Sequence, residues 1–209
     1  MGGNFMDFKI ENTYVYGLER AVKASGNPMR TKIDTSETTE KDFLRASRLG
    51  QTRNGEGHDN YLKGILVQLD VTAPLFWWKE AQRYHWFDFI SSQSTMHCLL
   101  KFKVKDQCVA DTDPIILDRI QTLIDEYNAL SEDTPEPERK AKWRVLVASL
   151  PSGFCLGATM TTNYQQLKTM FIQRYAHKLK EWHVFCDWCR SLPHFLELTG
   201  VLKLTHQEE

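Results

Sequence analysis

Residues that could carry chemistry are concentrated in one run: Tyr84-His85-Trp86-Phe87-Asp88-Phe89-Ile90-Ser91-Ser92-Gln93-Ser94-Thr95-Met96-His97. Two histidines, one acid and three serines lie within these fourteen residues, shortly after the aromatic triplet Phe76-Trp77-Trp78. Polar groups among so much aromatic surface are costly to bury unless they are paired. The run is therefore either a satisfied internal network or the wall of a site. The triplet could stack on a base or a flavin ring, or serve as the core face of a helix. Arg174 is a second candidate, at the end of a predicted helix and ahead of Tyr175-Ala176-His177. An arginine there can pair with the last carbonyls of the helix or clamp a phosphate or carboxylate.

Other motifs point to less. Cys186-Asp187-Trp188-Cys189 has the spacing of a metal or redox pair, but it falls inside an amphipathic helix and no second pair of cysteines accompanies it. A four-ligand zinc site needs that second set, so no metal is expected and the pair reads as ordinary half-buried cysteines. Arg139, Lys140, Lys142 and Arg144 read as a solvated helix face. The five cysteines are odd in number and scattered, and Met1-Gly2-Gly3-Asn4-Phe5 lacks the regions of a signal peptide. Both features suit free thiols in the cytoplasm. A net charge of -1 gives no electrostatic case for a nucleic-acid polymer or an anionic membrane. No apolar run approaches the roughly 18 residues of a membrane span.

The elements that must position these groups follow from periodicity. Residues 5–16 alternate and predict one or two strands. A short helix follows over 17–24, ended by Ser25-Gly26-Asn27-Pro28, and a loop over 26–40. A helix over 39–48 presents Phe43, Leu44 and Ala46, and a second loop covers 50–59. Residues 65–71, Ile-Leu-Val-Gln-Leu-Asp-Val, form the best strand. Pro74 is placed in the first turn of the next helix, which carries Phe76, Trp77, Ala81 and Tyr84. Asp113-Pro114 starts a helix to about Leu130 with a stripe of Ile116, Ile120, Leu123, Ile124 and Tyr127. Further helices are predicted over 138–149, from a Thr161 or Thr162 cap to Arg174, and over 178–192. A small sheet with many helices makes the class α+β. The 209 residues are read as a single domain, with the contribution of residues 1–40 left open.

Four spacings taken together resemble the flavin-dependent thymidylate synthases over roughly residues 43–192. In that family a Gly-His segment precedes a strand; here Gly57-His58 precedes 65–71. The family then has Arg-His-Arg, seven residues containing an Asn-Glu pair, and Ser-x-Arg. Tyr84-His85-Trp86, seven residues and Ser94-Thr95-Met96 stand in those places, with Ser91-Ser92-Gln93-Ser94 for Asn-Glu-x-Ser. Leu150-Pro151 is followed at the family's offsets by Thr161-Thr162-Asn163, Leu167 and Arg174. His58, His85, Ser94, Asn163 and Arg174 carry over. The family's arginines do not: Tyr84, Trp86, Met96, Val147 and Gln165 stand in their places, and Asn60 and Lys63 replace a serine and an acid.

The resemblance implies an α+β fold of a small antiparallel sheet with a helical bundle, FAD as cofactor, and homotetramers whose pockets lie between subunits. It implies reductive C5 methylation of dUMP with NADPH and methylenetetrahydrofolate. Arg174 would polarise the pyrimidine and Ser94 would lie beside it. His58, His85 and Asn163 would contact the flavin or its phosphates, with Trp86, Tyr84 and Gln93 also on the cofactor's side, and Tyr84, Trp86 and His97 would shape a pocket for a modified substrate. Each missing arginine removes a charge-assisted hydrogen bond of roughly 1.5–3 kcal/mol. Two of them amount to roughly two to four decades in affinity for a nucleotide monophosphate. That leaves three expectations: an enzyme acting on a non-canonical pyrimidine, a non-catalytic protein that sequesters a nucleotide, as a phage would use against host nucleotide signalling, or a structural remnant with an empty pocket.

Overall fold

Alternating aliphatic and β-branched residues make the central strand. In β2 (Leu66–Pro74), Val67, Leu69, Val71 and Ala73 are buried while the residues between them are partly exposed. The alternation persists to Ala73, so the strand outlasts its predicted end. Pro74 closes the strand instead of opening the helix; α3 (Leu75–Ala81) begins one residue later. Leu75 and Phe76 donate their N–H groups to the carbonyls of Phe154 and Ser152 at 3.0 and 3.1 Å, which fixes this corner. The computed structural model describes residues 5–53 and 55–205.

With β1 (Lys9–Tyr16), β3 (Asp88–Ser92) and β4 (Cys155–Asn163), β2 makes a four-stranded antiparallel sheet in the order β1-β2-β4-β3. The class is α+β, as the sequence implies. β3 and β4 were not predicted. β3 is exposed at every position and has no buried alternation. β4 opens with Cys155-Leu156-Gly157-Ala158, and its threonines read equally well as a helix cap. The remaining helices are α1 (Leu18–Ala24), α2 (Glu40–Gly50), α4 (Thr95–Cys98), α5 (Val104–Gln107), α6 (Pro114–Asn128), α7 (Glu136–Ala148), α8 (Tyr164–Arg174), α9 (Lys180–Ser191), α10 (Phe195–Thr199) and α11 (Val201–Thr205).

The chain forms two compact units. One comprises Val71–Glu80, Ser91–Ala158 and the residues up to Lys9; the other comprises Ile10–Asp70, Ala81–Ile90 and the chain from Thr159 onward. In the first, Leu99, Val104, Cys108, Leu117, Ile120, Ile124, Leu146 and Phe154 make the core. The α6 stripe is Leu117-Ile120-Ile124, and Ile116, predicted to be buried, is 45% exposed. The helix uses the three-residue step from Leu117 to Ile120 where the sequence offered an equally hydrophobic four-residue step. Trp77 and Trp78 are core. Trp77 packs on Phe8 at 5.0 Å between ring centroids, and the Trp78 indole donates to the Leu156 carbonyl at 3.1 Å.

The second unit is built on α8. Tyr164, Leu167, Met170 and Phe171 are fully buried, and Phe195 packs edge-on to Tyr164 at 5.3 Å. α2 buries Asp42, Ala46, Ser47 and Gly50, whereas Leu44 is 52% exposed, against the prediction. Small residues on that face let α10 approach closely. A Cβ at Gly50 would run into the Leu198 carbonyl oxygen, and the Ser47 hydroxyl donates to the Glu197 carbonyl at 2.8 Å. Asp42 anchors the same helix: its carboxylate accepts from the Thr39 N–H and hydroxyl and pairs with Lys23, Arg30 and Arg45.

Candidate functional site

The cap of α8 is the first positioning device. Asn163, not Thr161 or Thr162, is the N-cap; its carboxamide oxygen accepts from the Gln166 N–H at 2.9 Å. The predicted cap fails because the threonines remain in strand β4. The first turn and a half of α8 then presents Gln165, Gln166 and Thr169 to a pocket of about 380 Å³. Gly55, Gly57, Asp59, Asn60, Lys63 and Trp86 complete its lining. Gly55 and Gly57 have φ of 95° and 81°, which lets the 51–60 loop turn tightly. Trp86 is 55% exposed and His85 packs edge-on against it at 4.8 Å. The pocket thus offers one broad aromatic face, three carboxamides, a hydroxyl and an ammonium, at a helix N-terminus that favours negative charge.

Asp59, which lines the pocket, is held in an ion pair behind it. Lys168 and Asp59 are 0% and 1% exposed at their side chains, with Nζ 2.9 Å from Asp59 Oδ2. Lys168 also donates to the carbonyls of Gly50 and Thr52 at 2.9 and 2.6 Å, and Gln165 donates to Asp59 Oδ1 at 3.0 Å. One lysine therefore ties both ends of the 51–60 loop to α8. Sequence reasoning missed this pair. The signal was there: Lys168 lies four residues after Tyr164 and three before Phe171, on the apolar stripe of its helix.

Arg174, the last residue of α8, is held in an aromatic cluster. Its Nε donates to the Tyr84 hydroxyl at 2.7 Å, and that hydroxyl donates to Gln173 Oε1 at 3.0 Å. The guanidinium lies 4.7 Å from the Trp182 ring centroid and 5.4 Å from that of Tyr84. Tyr84 thus orients Arg174, where an arginine at position 84 would repel it.

The predicted residues fall into three groups. Tyr84 and Arg174 meet directly. His85 and Trp86 form a pair whose indole lines the pocket. His58 is exposed, but its neighbours Gly57 and Asp59 line that same pocket, and Asn163 acts on it through the α8 cap. Gln93 and Ser94 belong to the other unit. Gln93 makes a two-way contact with Gly157: its amide donates to the Gly157 carbonyl and its side-chain oxygen accepts from the Gly157 N–H, both at 2.8 Å. Ser94 precedes the short α4.

The described residues contain no group of three or more histidines, cysteines or acids able to hold a metal ion. Cys186 and Cys189 are free and buried. Burial pushes the Cys186 thiol up to about 12 and Cys189 well above the usual thiol range, so both are protonated, poor ligands and poor nucleophiles. No described helix is long and apolar enough to cross a membrane.

No protein-family model matches this chain, and no curated protein matches it by sequence. Solved structures do. A flavin-dependent thymidylate synthase, ThyX, from Helicobacter pylori, complexed with FAD and dUMP, superposes with a TM-score of 0.67 at 15% identity. The match covers 93% of this chain and 97% of that one. A second structure of the Helicobacter pylori enzyme with FAD and dUMP gives 0.68 at 16% identity, over 95% and 100% of the two chains. The chain has the flavin-dependent thymidylate synthase fold.

Proposed function

We propose that the chain is a divergent flavin-dependent thymidylate synthase-like protein that binds FAD and a nucleotide, and acts on a pyrimidine other than dUMP held in the family's way. One observation carries this reading. Three segments that the family resemblance picks out, around His58, at Trp86 and after Asn163, supply the lining of a single pocket. The two Helicobacter pylori structures that the chain superposes on are complexed with FAD and dUMP.

The residues present fit part of a flavin nucleotide. Trp86 gives a stacking face; Asn60, Gln165, Gln166 and Thr169 give hydrogen bonds to ring edges and ribose; Lys63 and the N-terminus of α8 give positive potential for phosphate. Asp59 adds no net repulsion because Lys168 neutralises it. Flavin, when bound, supplies the hydride chemistry. The chain's own residues bind and orient: the α8 cap aims the carboxamides, Lys168 holds the loop, and Arg174, set by Tyr84, is the cation for charge developing on the pyrimidine. The assembly we expect is a homotetramer with shared sites.

A second reading, a nucleotide-holding protein without turnover, has its own support. Met96 and Val147 replace cations, and Tyr84 engages the Nε of Arg174. The tests are direct. Purified protein is expected to show flavin absorption and to release FAD on denaturation, with Trp86→Ala weakening FAD binding at least tenfold. A colourless protein that releases an intact nucleotide supports the second reading. Unchanged FAD binding in Trp86→Ala overturns the placement of the pocket.

A further inference from the structure

The pocket beside Trp86 contains a buried polar side chain that the fold itself does not pair. Gln166 stands in the first turn of α8, is 9% exposed and lines that pocket. Its backbone N–H donates to the Asn163 side chain at 2.9 Å, but its carboxamide makes no hydrogen bond to any described residue. A glutamine at the third position of a helix ordinarily reaches back to the backbone N–H of the cap residue. Helix α2 closes such a reciprocal pair between Thr39 and Asp42, whereas α8 has only the forward bond to Asn163. Buried polar groups are almost always paired. A carboxamide that forgoes its local partner and stays nine-tenths buried in a pocket wall is paired by what the pocket holds. Its neighbour is already engaged: Gln165 donates to Asp59 Oδ1 at 3.0 Å, and Lys168 holds Asp59.

We propose that Gln166 is the specificity-determining residue of this pocket, reading a ring edge that sets an N–H beside a C=O, the lactam edge that isoalloxazine shares with uracil. A carboxamide presents a donor and an acceptor side by side, so two parallel hydrogen bonds form: its oxygen accepts from the ring N–H and its amide donates to the ring C=O. Such a ring carries a second C=O on the other side of the N–H, and Lys63 and Asn60 on the same wall supply donors for it. An adenine edge offers one acceptor nitrogen beside its amino group and leaves those donors unused. Trp86 supplies the stacking face. The inference rests on the reading of this pocket as a flavin and nucleotide site, and names the chemistry by which that site selects its ring.

The test is calorimetric titration of the full chain with riboflavin, 3-methylriboflavin, uridine, 3-methyluridine and adenosine. Riboflavin or uridine is expected to bind, and methylation at N3, which removes the ring N–H, to weaken it roughly tenfold or more. The compound that binds identifies whether a flavin or a pyrimidine supplies the edge. In Gln166→Ala the parent and N3-methylated compounds are expected to bind equally; a residue that only shaped the fold would weaken both and leave their ratio at the wild-type value. Gln166→Leu, which keeps the bulk and removes the carboxamide, should unfold in urea at a midpoint no lower than the wild type, because no hydrogen bond within the protein is lost. A lower midpoint overturns the proposal, as does adenosine binding more tightly than riboflavin and uridine. Binding that Trp86→Ala weakens but N3 methylation does not defeats the assignment to Gln166 and keeps the pocket. Binding of none of these compounds defeats the pocket and this inference with it.

Discussion

Replacing Asp59 with asparagine keeps the shape of the side chain and removes its charge, leaving the Lys168 ammonium fully buried with two carbonyl acceptors and no counter-ion. Breaking a buried pair by removing one partner costs about 3–5 kcal/mol. With a urea dependence of about 2 kcal/mol per molar, the unfolding midpoint of Asp59→Asn should fall by roughly 2 M. Lys168→Met should cost a similar amount, because among the described residues the Asp59 carboxylate then retains only the Gln165 donor. The double variant Asp59→Asn, Lys168→Met should be less destabilised than the sum of the two, by at least about 1 kcal/mol, since each single variant strands the other partner. The assay is equilibrium urea unfolding of all four proteins, followed by circular dichroism. Single variants that each lose less than about 1 kcal/mol, or a double variant that is strictly additive, would refute the reasoning that this pair clamps the 51–60 loop to α8.

Other consequences are testable in the same way. Gly50→Ala drives a Cβ into the Leu198 carbonyl, which neither backbone can easily yield, and should cost about 1–3 kcal/mol in the same urea assay. Burial pushes the Asp42 carboxyl up, but the Thr39 N–H, Arg45 and Lys23 outweigh it and hold the group below the usual carboxylate range. Ser36 and Lys23 likewise hold Asp34 at about 2. Both carboxylates are stabilising above the ordinary value of 3.8 and lose that contribution as pH falls through their lowered folded values, so the urea midpoint should drop between about pH 4 and pH 2. Asp42→Asn should flatten that fall. Lys23, raised chiefly by Asp42, contributes fully below its ordinary 10.5 and loses this as pH rises through its raised value. Arg174→Ala should weaken nucleotide or flavin binding by about tenfold or more, measured by titration, while Tyr84→Phe should cost about 1 kcal/mol of stability through the lost hydroxyl.

Some of the residues that line the pocket at the start of α8 were legible in the sequence. Gly57 and Trp86 line this one pocket, and Asn163 caps the helix whose first residues line it too, although they lie far apart in sequence. What was not legible has physical causes. The strand β3 has no buried face, so no alternation marks it. The strand β4 carries small residues and threonines that fit a cap as readily as a ladder, and only the Asn163 side chain settles where α8 begins. The triplet Phe76-Trp77-Trp78 offered two uses, and burial decides for core. The Asp59–Lys168 pair joins residues 109 positions apart; no local pattern announces such a partner, and only the misplaced lysine on an apolar stripe hints at it.

The proposal that the segments around His58, at Trp86 and after Asn163 build a flavin and nucleotide site rests on one pocket. Its most direct test is the visible spectrum of the purified protein, with mass spectrometry of whatever it releases on denaturation. Flavin bands and released FAD, both lost in Trp86→Ala, are the predicted result. A colourless protein that releases neither flavin nor nucleotide, and takes up neither when they are added, would contradict it.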